Sequence, residues 1–535
     1  MKYTKFYIFS LIFLMGCSSS EAPVDSAVES KIFHYGNGTE PQGLDPHIVT
    51  GVPEHHLLLA LCEGLTSSNP KGGESLPGSA ASWDISEDGK VYTFYLQENG
   101  KWSNGEIVTA DDYVWSWQRI LTPSLGSQYP DMLYYVVNAE EFHTGSLNDF
   151  SKVGVKAIDD LTLQVTLKEP TPFFLGLLSH YSTWAVHKET VLKHGAIDDR
   201  NGQWTRPGNF VCNGPFNLRS WELNKKIIVE KNPLYWDSDM VELNEMHFYP
   251  ISVEMTEERM FRAGQLHVTS TFPSSKCTPD IKETNPNIQI HPYMGTYFYR
   301  FNTKNEALSD VRVRKALAYS IDREKIVETV TKCGQIPAYS FTPPGSNGFF
   351  PDTKIPYDVE LAKELLKEAG YESGTDFPKL EILFNTSEGH RKVALAVQQM
   401  WQQNLGINVE LVNQDWKVYL SREMIGDFQV SRAGWIGDYE DPNTFLDTLR
   451  PNRGNNKTGW ENPEFDRLVA LANATLDQDK RYEILMQAER LLIDEMPIAP
   501  IYTYVRVYQL HDDVKGWYPN ILSHHHPKYI RIERD

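Results

Sequence analysis

From about residue 300 onward, segments with a strand-like pattern alternate with segments of helical spacing. "VELAKELLKEAG" is helical and ends at Gly370, a residue type that commonly terminates helices. "HRKVALAVQQMWQQNLG" places Val393, Val397, Met400 and Trp401 on one helical stripe, and "INVELVNQDW" then alternates as a strand. This alternation predicts an α/β fold.

Residues 80–190 are richer in strand patterns. "KVYTFYL" and, at 161–167, "LTLQVTL" alternate between apolar and polar residues and are bounded by turn residues. Helical spacing appears in "DVRVRKALAYSIDREKIVETVTK", residues 310–332. A chain of 535 residues is too long for one core, so we expect roughly three or four domains. No repeat and no Pro- or Gly-rich linker marks their boundaries.

The charge balance excludes one broad class of function. The chain has 51 Lys and Arg residues against 71 Asp and Glu residues, which gives a formal net charge of -20. Binding to nucleic acid depends on cationic side chains that neutralise phosphates. We therefore predict that nucleic acid is not a partner.

The N-terminus has the pattern of an export signal. "MKYTKFYIFSLIFLMGC" has two lysines, an apolar run too short to span a bilayer, and a terminal Gly16-Cys17 pair. "LMGC" resembles the bacterial lipobox, in which cleavage before the cysteine leaves that residue, here Cys17, to be lipidated. We predict a signal peptide over residues 1–17 and a flexible polar tether over residues 18–31. The mature protein is then expected in the periplasm or at the cell surface, anchored to the membrane by lipid.

Four further cysteines, Cys62, Cys212, Cys277 and Cys333, are widely spaced. An exported protein can oxidise them, but no CxxC metal or redox pattern is present. Their pairing cannot be deduced from the sequence, and buried free thiols are an equal alternative.

Known catalytic and metal-binding motifs are absent from the sequence. There is no GxSxG, no HExxH and no Walker phosphate loop. "SHHHP", which begins at Ser523, is the densest histidine cluster, and its place near the C-terminus favours an exposed loop over a metal site. "DYEDPNTF" lacks the glycine and the spacing of a calcium loop. We predict a protein that is not an enzyme and that has no cofactor and no metal.

One carboxylate, Asp438, follows a small, apolar and aromatic run in "RAGWIGDYEDPNTF", residues 432–445. Two interpretations are open. Asp438 lies in a surface turn, helped by Asp441-Pro442, or it binds a cation between Trp435 and Tyr439.

A long stretch, "PGSAASWDISEDGKVYTFYLQENGKWSNGEIVTADDYVWSWQRIL" at 77–121, resembles the signature region of family 5 extracellular solute-binding proteins of ABC importers. Other stretches resemble the oligopeptide-binding branch and occur in the same order, among them "CNGPFNL", "KNPLYWD", "DVRVRKALAYSIDR", "PAYSFTPP" and "NQDWKVYL". The resemblance covers essentially all of the chain after the tether.

The resemblance implies a two-lobed periplasmic-binding-protein (Venus-flytrap) fold of the α/β class, with an extra third domain and a hinge between the lobes. Lobe I is expected to combine residues 32–62, 190–293 and 505–535. The additional domain is expected at 63–189 and lobe II at 294–504. The hinge is expected near Tyr293–Thr296 and Tyr502–Val505.

The same resemblance implies a set of ligand-binding residues. Asp438 is at the position that binds the α-ammonium of a peptide, which favours the cation-binding interpretation of the "RAGWIGDYEDPNTF" stretch. The peptide backbone is expected to pair as an added strand with Thr50, Gly51 and Val52 on one side and Gly434, Trp435 and Ile436 on the other. The carboxylate end is expected at Arg422, Arg432 and His390, and the aromatic walls at Trp416, Trp435, Tyr129, Tyr293 and Tyr504.

Some positions depart from the family. A lysine of the family is Thr331 here, beside Lys332, which leaves the preferred peptide length open. A cysteine pair of some members is replaced by Gly295 and Ile436, and an acidic position near the clamp is Thr50.

We therefore predict a monomeric, lipid-anchored receptor that captures short oligopeptides and delivers them to an ABC transporter permease. An alternative within the same fold is a receptor for a specialised peptide, such as a cell-wall muropeptide or a signalling peptide. An alternative of another class is an exported hydrolase or a chaperone, although no nucleophile–base motif indicates one.

Overall fold

The structure is a computed structural model that describes residues 22–278, 280–372 and 374–534. The predicted signal peptide, including Cys17, and the first residues of the predicted tether lie outside the described residues. The remainder of the tether differs from the prediction, because Pro23–Ser30 form a helix with Val24 and Ala27 buried. Asp25 of this helix forms an ion pair with Arg534 at 3.1 Å. Two apolar residues spaced three apart are enough to dock it against the folded body.

The strands of the described residues are, in chain order, β1 (Ile32–Gly36), β2 (Thr66–Ser67), β3 (Leu76–Pro77), β4 (Ala80–Ile85), β5 (Val91–Leu96), β6 (Val155–Asp159), β7 (Thr162–Thr166), β8 (Phe216–Glu222), β9 (Lys226–Lys231), β10 (Glu245–Tyr249), β11 (Ile288–Phe301), β12 (Ile336–Pro337), β13 (Leu380–Asn385), β14 (Val409–Gln414), β15 (Val430–Ile436), β16 (Ile498–Gln509), β17 (Val514–Lys515) and β18 (Arg531–Ile532).

The α-helices are α1 (Pro23–Ser30), α2 (Val52–Leu61), α3 (Ala110–Leu121), α4 (Ala139–His143), α5 (Phe174–Leu177), α6 (Lys188–Lys193), α7 (Glu254–Arg262), α8 (Ile281–Thr284), α9 (Val311–Tyr319), α10 (Arg323–Ile326), α11 (Val359–Glu368), α12 (Glu388–Met400), α13 (Trp416–Met424), α14 (Asn443–Leu446), α15 (Pro463–Asn473) and α16 (Gln478–Glu495). No helix among the described residues is both long enough and apolar enough to cross a membrane.

Three sheets of four or more strands contain most of these strands, and β2-β3 and β17-β18 form two further two-stranded sheets among the described residues. A four-stranded sheet has the order β1-β10-β9-β8, with β1 parallel to β10, and a second has the antiparallel order β4-β5-β7-β6. The third sheet has six strands in the order β12-β16-β11-β15-β13-β14. It mixes antiparallel pairs around β11 with parallel pairs around β13. The largest apolar core packs against both four-stranded sheets, and another packs against the six-stranded sheet.

The two longest strands, β11 and β16, pair antiparallel with an interruption in the middle. Pairing stops after Pro292↔Val505 and resumes at Thr296↔Thr503, so residues 293–295 lie opposite Tyr504 alone. We call this irregularity, residues 293–295 together with Tyr504, the hinge bulge. It coincides with the segments in which the sequence predicts the hinge.

Several predicted segments are confirmed by the structure. The strand patterns at 91–96 and 162–166 are β5 and β7, each with alternating burial, and the helix ending near Gly370 is α11. The helical spacing over 310–332 is confirmed, but it is divided between more than one helix. The helix ends at Tyr319, and Asp322 begins a new one because its side chain accepts a hydrogen bond from the amide of Lys325.

The four cysteines outside the N-terminal segment form two disulfides. Cys62 pairs with Cys212, and Cys277 pairs with Cys333, with Cα–Cα distances of 5.4 Å in both. The second disulfide joins a residue of the range predicted as lobe I to one of the range predicted as lobe II. It packs in a small apolar cluster with Ile288 of β11 and Val507 of β16, beside the hinge bulge. The domain ranges themselves stay a prediction.

Candidate ligand-binding site

A cavity of about 320 Å³ lies where α2, β15 and the hinge bulge approach one another. Its size is in the range typical of small-ligand sites. Its lining includes every residue that the sequence predicts for the site apart from Arg422: Thr50, Gly51, Val52, Tyr129, Tyr293, His390, Trp416, Arg432, Gly434, Trp435, Ile436, Asp438 and Tyr504. Residues from opposite ends of the chain therefore meet at one place.

The acidic end of the cavity is formed by Asp438. It follows β15 after Gly437, where a side chain would lie 3.0 Å from the Met294 methyl group. The Asp438 amide donates to Thr444 Oγ1 at 3.1 Å, and its Oδ1 lies 3.4 Å from His180 Nε2. Its Oδ2 is buried and has no hydrogen-bond partner among the described residues.

The electrostatic setting of Asp438 favours a cationic ligand group. Burial, and then the charge of Asp131, raise the pKa of the Asp438 carboxyl well above its usual value. His180 does not neutralise it, because burial lowers the pKa of that imidazole to about 3. A buried carboxylate without a counter-ion is unfavourable, and a cation that enters the cavity removes this penalty.

Aromatic rings enclose this end. Tyr129 lies 4.7 Å from the His180 ring and 6.5 Å from the Trp435 ring, measured between centroids. On the opposite wall, Tyr293 and Tyr504 of the hinge bulge lie 6.1 Å apart. These rings provide apolar surface to a ligand in the cavity.

One edge of β15 is open along the cavity. β15 pairs with β11 from Val430 to Ile436, but with β13 only at Val430 and Ser431. In the part of the sheet that the structure describes, residues 432–436 thus have no strand on that side. An extended chain can pair with such an edge through main-chain hydrogen bonds.

The opposite clamp segment approaches the cavity from the start of α2. Gly51 is extended and precedes the helix. A Cβ at this position would lie 2.1 Å from Glu54 Oε2 and 3.1 Å from the Trp416 ring, so glycine lets the loop pack closely against both side chains.

One cationic group of the cavity is Arg432 on β15. Its guanidinium donates to Asn385 Oδ1 at 3.2 Å and to the Tyr504 hydroxyl at 2.8 Å, and it lies 4.9 Å from the Tyr297 ring centroid. Its Nε has no partner among the described residues. Burial, and then the charge of Arg432, lower the pKa of His390 well below its usual value, so His390 is a neutral hydrogen-bonding group.

Arg422, the remaining predicted cation, is placed elsewhere. It lies on α13 and forms ion pairs of 2.9 Å with Glu381 and with Asp427, and it is not part of the cavity lining. The structure therefore does not bring Arg422 together with the other predicted site residues, and both of its charged partners are protein carboxylates. Thr331 lines an adjoining cavity, whereas Lys332 is exposed.

Residues 74–457 match the family model described as "Bacterial extracellular solute-binding proteins, family 5 Middle". This segment makes up most of the chain. The chain belongs to this family.

Relatives of known name agree with this assignment. The periplasmic oligopeptide-binding protein OppA of Salmonella typhimurium is 39% identical over 491 residues, which cover 90% of this chain and 88% of OppA. A crystal structure of Haemophilus influenzae OppA in complex with RPPGFSPFR has a TM-score of 0.89 at 35% identity and covers 95% of this chain and 99% of that one.

A third relative distinguishes two arrangements of this fold. The structure of the Escherichia coli murein tripeptide binding protein MppA has a TM-score of 0.89 at 35% identity, with 94% of this chain and 99% of that chain covered. The unliganded open form of MppA has a TM-score of only 0.64 over nearly the same residues. The predicted two-lobed family 5 fold is confirmed, and this structure resembles the peptide complex of OppA more than the open form of MppA.

Sequence reasoning missed several residues of this family 5 site. His55, His180, Tyr181, His524 and Arg506 also line the cavity. For His524 a signal existed in "SHHHP", but the prediction of an exposed loop is wrong. His524 and His526 are buried, and the His524 ring lies 4.4 Å from that of His55. The Ser68 hydroxyl bonds both His524 and His526, so the loop is held against the folded body.

Proposed function

We propose that this protein is an extracytoplasmic receptor that binds short oligopeptides by their termini and backbone and delivers them to an ABC transporter permease. The observation that carries the proposal is the arrangement of one cavity. Two groups flank the open edge of β15: the buried carboxylate of Asp438, which has no cationic partner among the described residues, and the guanidinium of Arg432, which has no carboxylate partner among them. A peptide supplies the three complementary groups, namely an ammonium, a carboxylate and an extended backbone.

The arrangement also explains how broad specificity is compatible with a buried ligand. Main-chain pairing and terminal charges are the same in every peptide. Side chains meet aromatic rings and neutral imidazoles, where water can bridge to varied groups. Two relatives support this interpretation by their names, since OppA is an oligopeptide-binding protein and MppA is a murein tripeptide binding protein.

The test is calorimetric titration of Ala-Ala-Ala into the mature protein, with N-acetylated and C-terminally amidated versions as controls. We expect the free tripeptide to bind and both blocked versions to bind more weakly. Equal binding of all three, or no binding of any di- to pentapeptide, contradicts the proposal. The same samples are analysed for cleavage products, whose appearance would revive the hydrolase alternative.

We further propose that Cys17 is lipidated, that the monomeric mature protein is held at the membrane, and that it functions in the periplasm or at the cell surface. The "LMGC" motif supports this proposal. We expect Cys17→Ala to move the protein from the detergent phase to the aqueous phase in a Triton X-114 partition. Unchanged partitioning contradicts lipid anchoring and leaves the peptide-binding proposal unaffected.

A further inference from the structure

Arg506 is a second cation of the cavity, and the roles proposed for binding the peptide backbone and the peptide termini do not involve it. It lies on β16, two residues after Tyr504, and lines both the main cavity and an adjoining cavity of about 310 Å³. Its Nη1 donates to the Ser270 carbonyl at 2.6 Å, and its Nε donates to the Ser523 hydroxyl at 3.1 Å. Both acceptors are neutral. The guanidinium is half-buried and is fixed in position by these two bonds.

No carboxylate pairs with Arg506 in the part of the chain that the structure describes. Glu257 is the acidic group behind it, but its two oxygens accept hydrogen bonds from the amides of Ser270 and Thr271 at 2.8 and 3.3 Å. Burial also raises the pKa of Glu257 to about 8, so this group carries little charge at neutral pH. His56 and His525 lie nearby, and burial lowers the pKa of both well below its usual value.

The charges that line the two adjoining cavities do not balance for a simple peptide. The lining includes two carboxyl groups, Asp438 and Glu254, and two guanidiniums, Arg432 and Arg506. Glu254 is half-buried beside the first turn of α12, where burial, and then the charge of Glu388, raise the pKa of its carboxyl. It lines the adjoining cavity only, so among the described residues Asp438 is the one carboxyl group in the lining of the main cavity, beside two guanidiniums.

A peptide without charged side chains brings one ammonium and one carboxylate. If Asp438 binds the ammonium and Arg432 the carboxylate, the charge of Arg506 remains uncompensated. A half-buried arginine is stabilised by a carboxylate that can accept two parallel hydrogen bonds. The ligand that balances this cavity therefore carries one carboxylate more than it carries ammonium groups.

We propose that Arg506 is a specificity-determining residue that binds a second carboxylate of the ligand, so that the preferred ligands are short acidic peptides. This inference rests on the peptide-binding function proposed above and specifies its substrate class. The second carboxylate can come from an aspartate or glutamate side chain in an ordinary α-linked peptide. It can also come from the free α-carboxylate of a γ-linked glutamyl residue, as in a cell-wall peptide.

The experiment compares pairs of peptides that differ only in this charge. Ala-Glu-Ala and Ala-Gln-Ala, and then Ala-Ala-Glu and Ala-Ala-Gln, are titrated into the wild-type protein and into Arg506→Gln. Hydrogen bonds to charged groups contribute about 1.5–3 kcal/mol, which corresponds to roughly 10- to 150-fold in Kd. We expect at least one glutamate peptide to bind the wild-type protein roughly that much more tightly than its glutamine partner. We expect Arg506→Gln to lose this preference.

Two further variants control for indirect effects. Arg422→Gln removes an arginine outside the cavity and is expected to keep the preference. Arg506→Lys retains the charge and is expected to keep part of the preference, which a purely structural role of Arg506 does not predict. Circular dichroism melts establish that each variant is folded. If Arg506→Gln is not folded, the inference is still tested by the glutamate and glutamine peptide pairs, titrated into the wild-type protein and into Arg506→Lys.

Other outcomes overturn the inference in distinguishable ways. If the wild-type protein binds Ala-Ala-Ala but does not discriminate between any glutamate and glutamine pair, the inference is wrong and peptide binding stands. If the preference survives in Arg506→Gln, another residue is responsible. If no peptide binds, both proposals fail. A parallel titration with Ala-γ-D-Glu-Ala and its glutamyl α-amide distinguishes a γ-linked peptide from an α-linked one as the source of the carboxylate.

Discussion

The Nε2 atom of His180 lies 3.4 Å from Oδ1 of Asp438, while Oδ2 of the same carboxyl group is buried without a hydrogen-bond partner among the described residues. His180 Nδ1 accepts from the Ser182 amide, which places the ring proton on Nε2, facing Asp438. The histidine therefore orients one carboxylate oxygen and leaves the other available. Because burial keeps His180 neutral, the pair is a positioning contact and not a salt bridge.

The first prediction concerns the charge of Asp438. Asp438→Asn should weaken binding of Ala-Ala-Ala by about two to four decades in Kd, since an unpaired buried charge costs roughly 3–5 kcal/mol. N-acetylation of the peptide should cause a similar loss with the wild-type protein. The two changes should not add, because both remove the same interaction.

Calorimetric titration of both peptides into both proteins measures this coupling. Glu440→Gln, two residues further on and outside the main cavity lining, is the matched control and should bind like the wild-type protein. Equal affinities of free and acetylated peptides for the wild-type protein would show that Asp438 does not bind the ammonium.

The second prediction concerns pH. The folded, unliganded protein holds the Asp438 proton more tightly than usual, and a bound ammonium requires the ionised form. Tyr129, Asp131, His180 and Thr444 face this group, and of these Asp131 adds to the rise in its pKa. Binding should therefore release protons, and affinity should rise with pH through the pKa of Asp438. It should fall again as the peptide amino group deprotonates near pH 8.

Titrations in buffers of different ionisation enthalpy measure the proton release directly. Asp438→Asn should flatten the acidic limb of the profile and reduce the proton release. An unchanged profile in this variant would assign the titration to another group.

The third prediction separates the two arginines of one segment. Arg432→Gln should weaken binding of a free tripeptide strongly, and amidation of the peptide C-terminus should then have little further effect. Arg422→Gln should leave both affinities unchanged, because its partners are Glu381 and Asp427. The same titrations would contradict this prediction if Arg422→Gln weakened binding and Arg432→Gln did not, since Arg422 would then contact the ligand.

The fourth prediction concerns the disulfide beside the hinge bulge. Replacing Cys277 and Cys333 together by serine should lower the free energy of unfolding by about 2–4 kcal/mol, because the unfolded chain is no longer constrained across 56 residues. Urea denaturation measures the loss. A midpoint equal to that of the wild-type protein, measured without reductant, would show that this disulfide does not form in solution.

The fifth prediction concerns closure. The much lower TM-score with the unliganded open form of MppA indicates that the lobes of MppA can separate, and we expect the same of this protein. We expect the radius of gyration from small-angle scattering to decrease when a peptide that binds is added. The lobes should rotate about the hinge bulge. Addition of N-acetylated peptide at the same concentration should change the radius less. An equal radius with and without the free peptide would contradict hinge closure.

Local patterns predicted local structure well. The alternation in "KVYTFYL" and the glycine after "VELAKELLKEA" each identify an element whose limits depend on a few neighbouring residues. The break after Tyr319 was missed because the helical spacing continues through it, while the capping side chain of Asp322 competes for the backbone.

Site residues were predictable only where a long motif fixed their surroundings. Arg432 and Arg422 are the same residue type in one segment, so the sequence alone does not distinguish their roles. Their roles differ because one lies on β15 facing the cavity and the other meets Glu381, which is 41 residues away. Arg506, His55 and His180 have no local signature, and the "SHHHP" run does not reveal that His524 is buried, since their neighbours come from distant parts of the chain.

The hinge bulge has a consequence for how this protein can change. Tyr293 and Tyr504 belong both to the interruption between β11 and β16 and to the wall of the cavity. A substitution that widens the cavity at either position also alters the irregular pairing between the long strands, where we expect the hinge. We therefore expect a substitution at either position to change both the range of ligands and the ease with which the lobes open. Trp416, on a helix away from those strands, is a position where selection can alter the range alone.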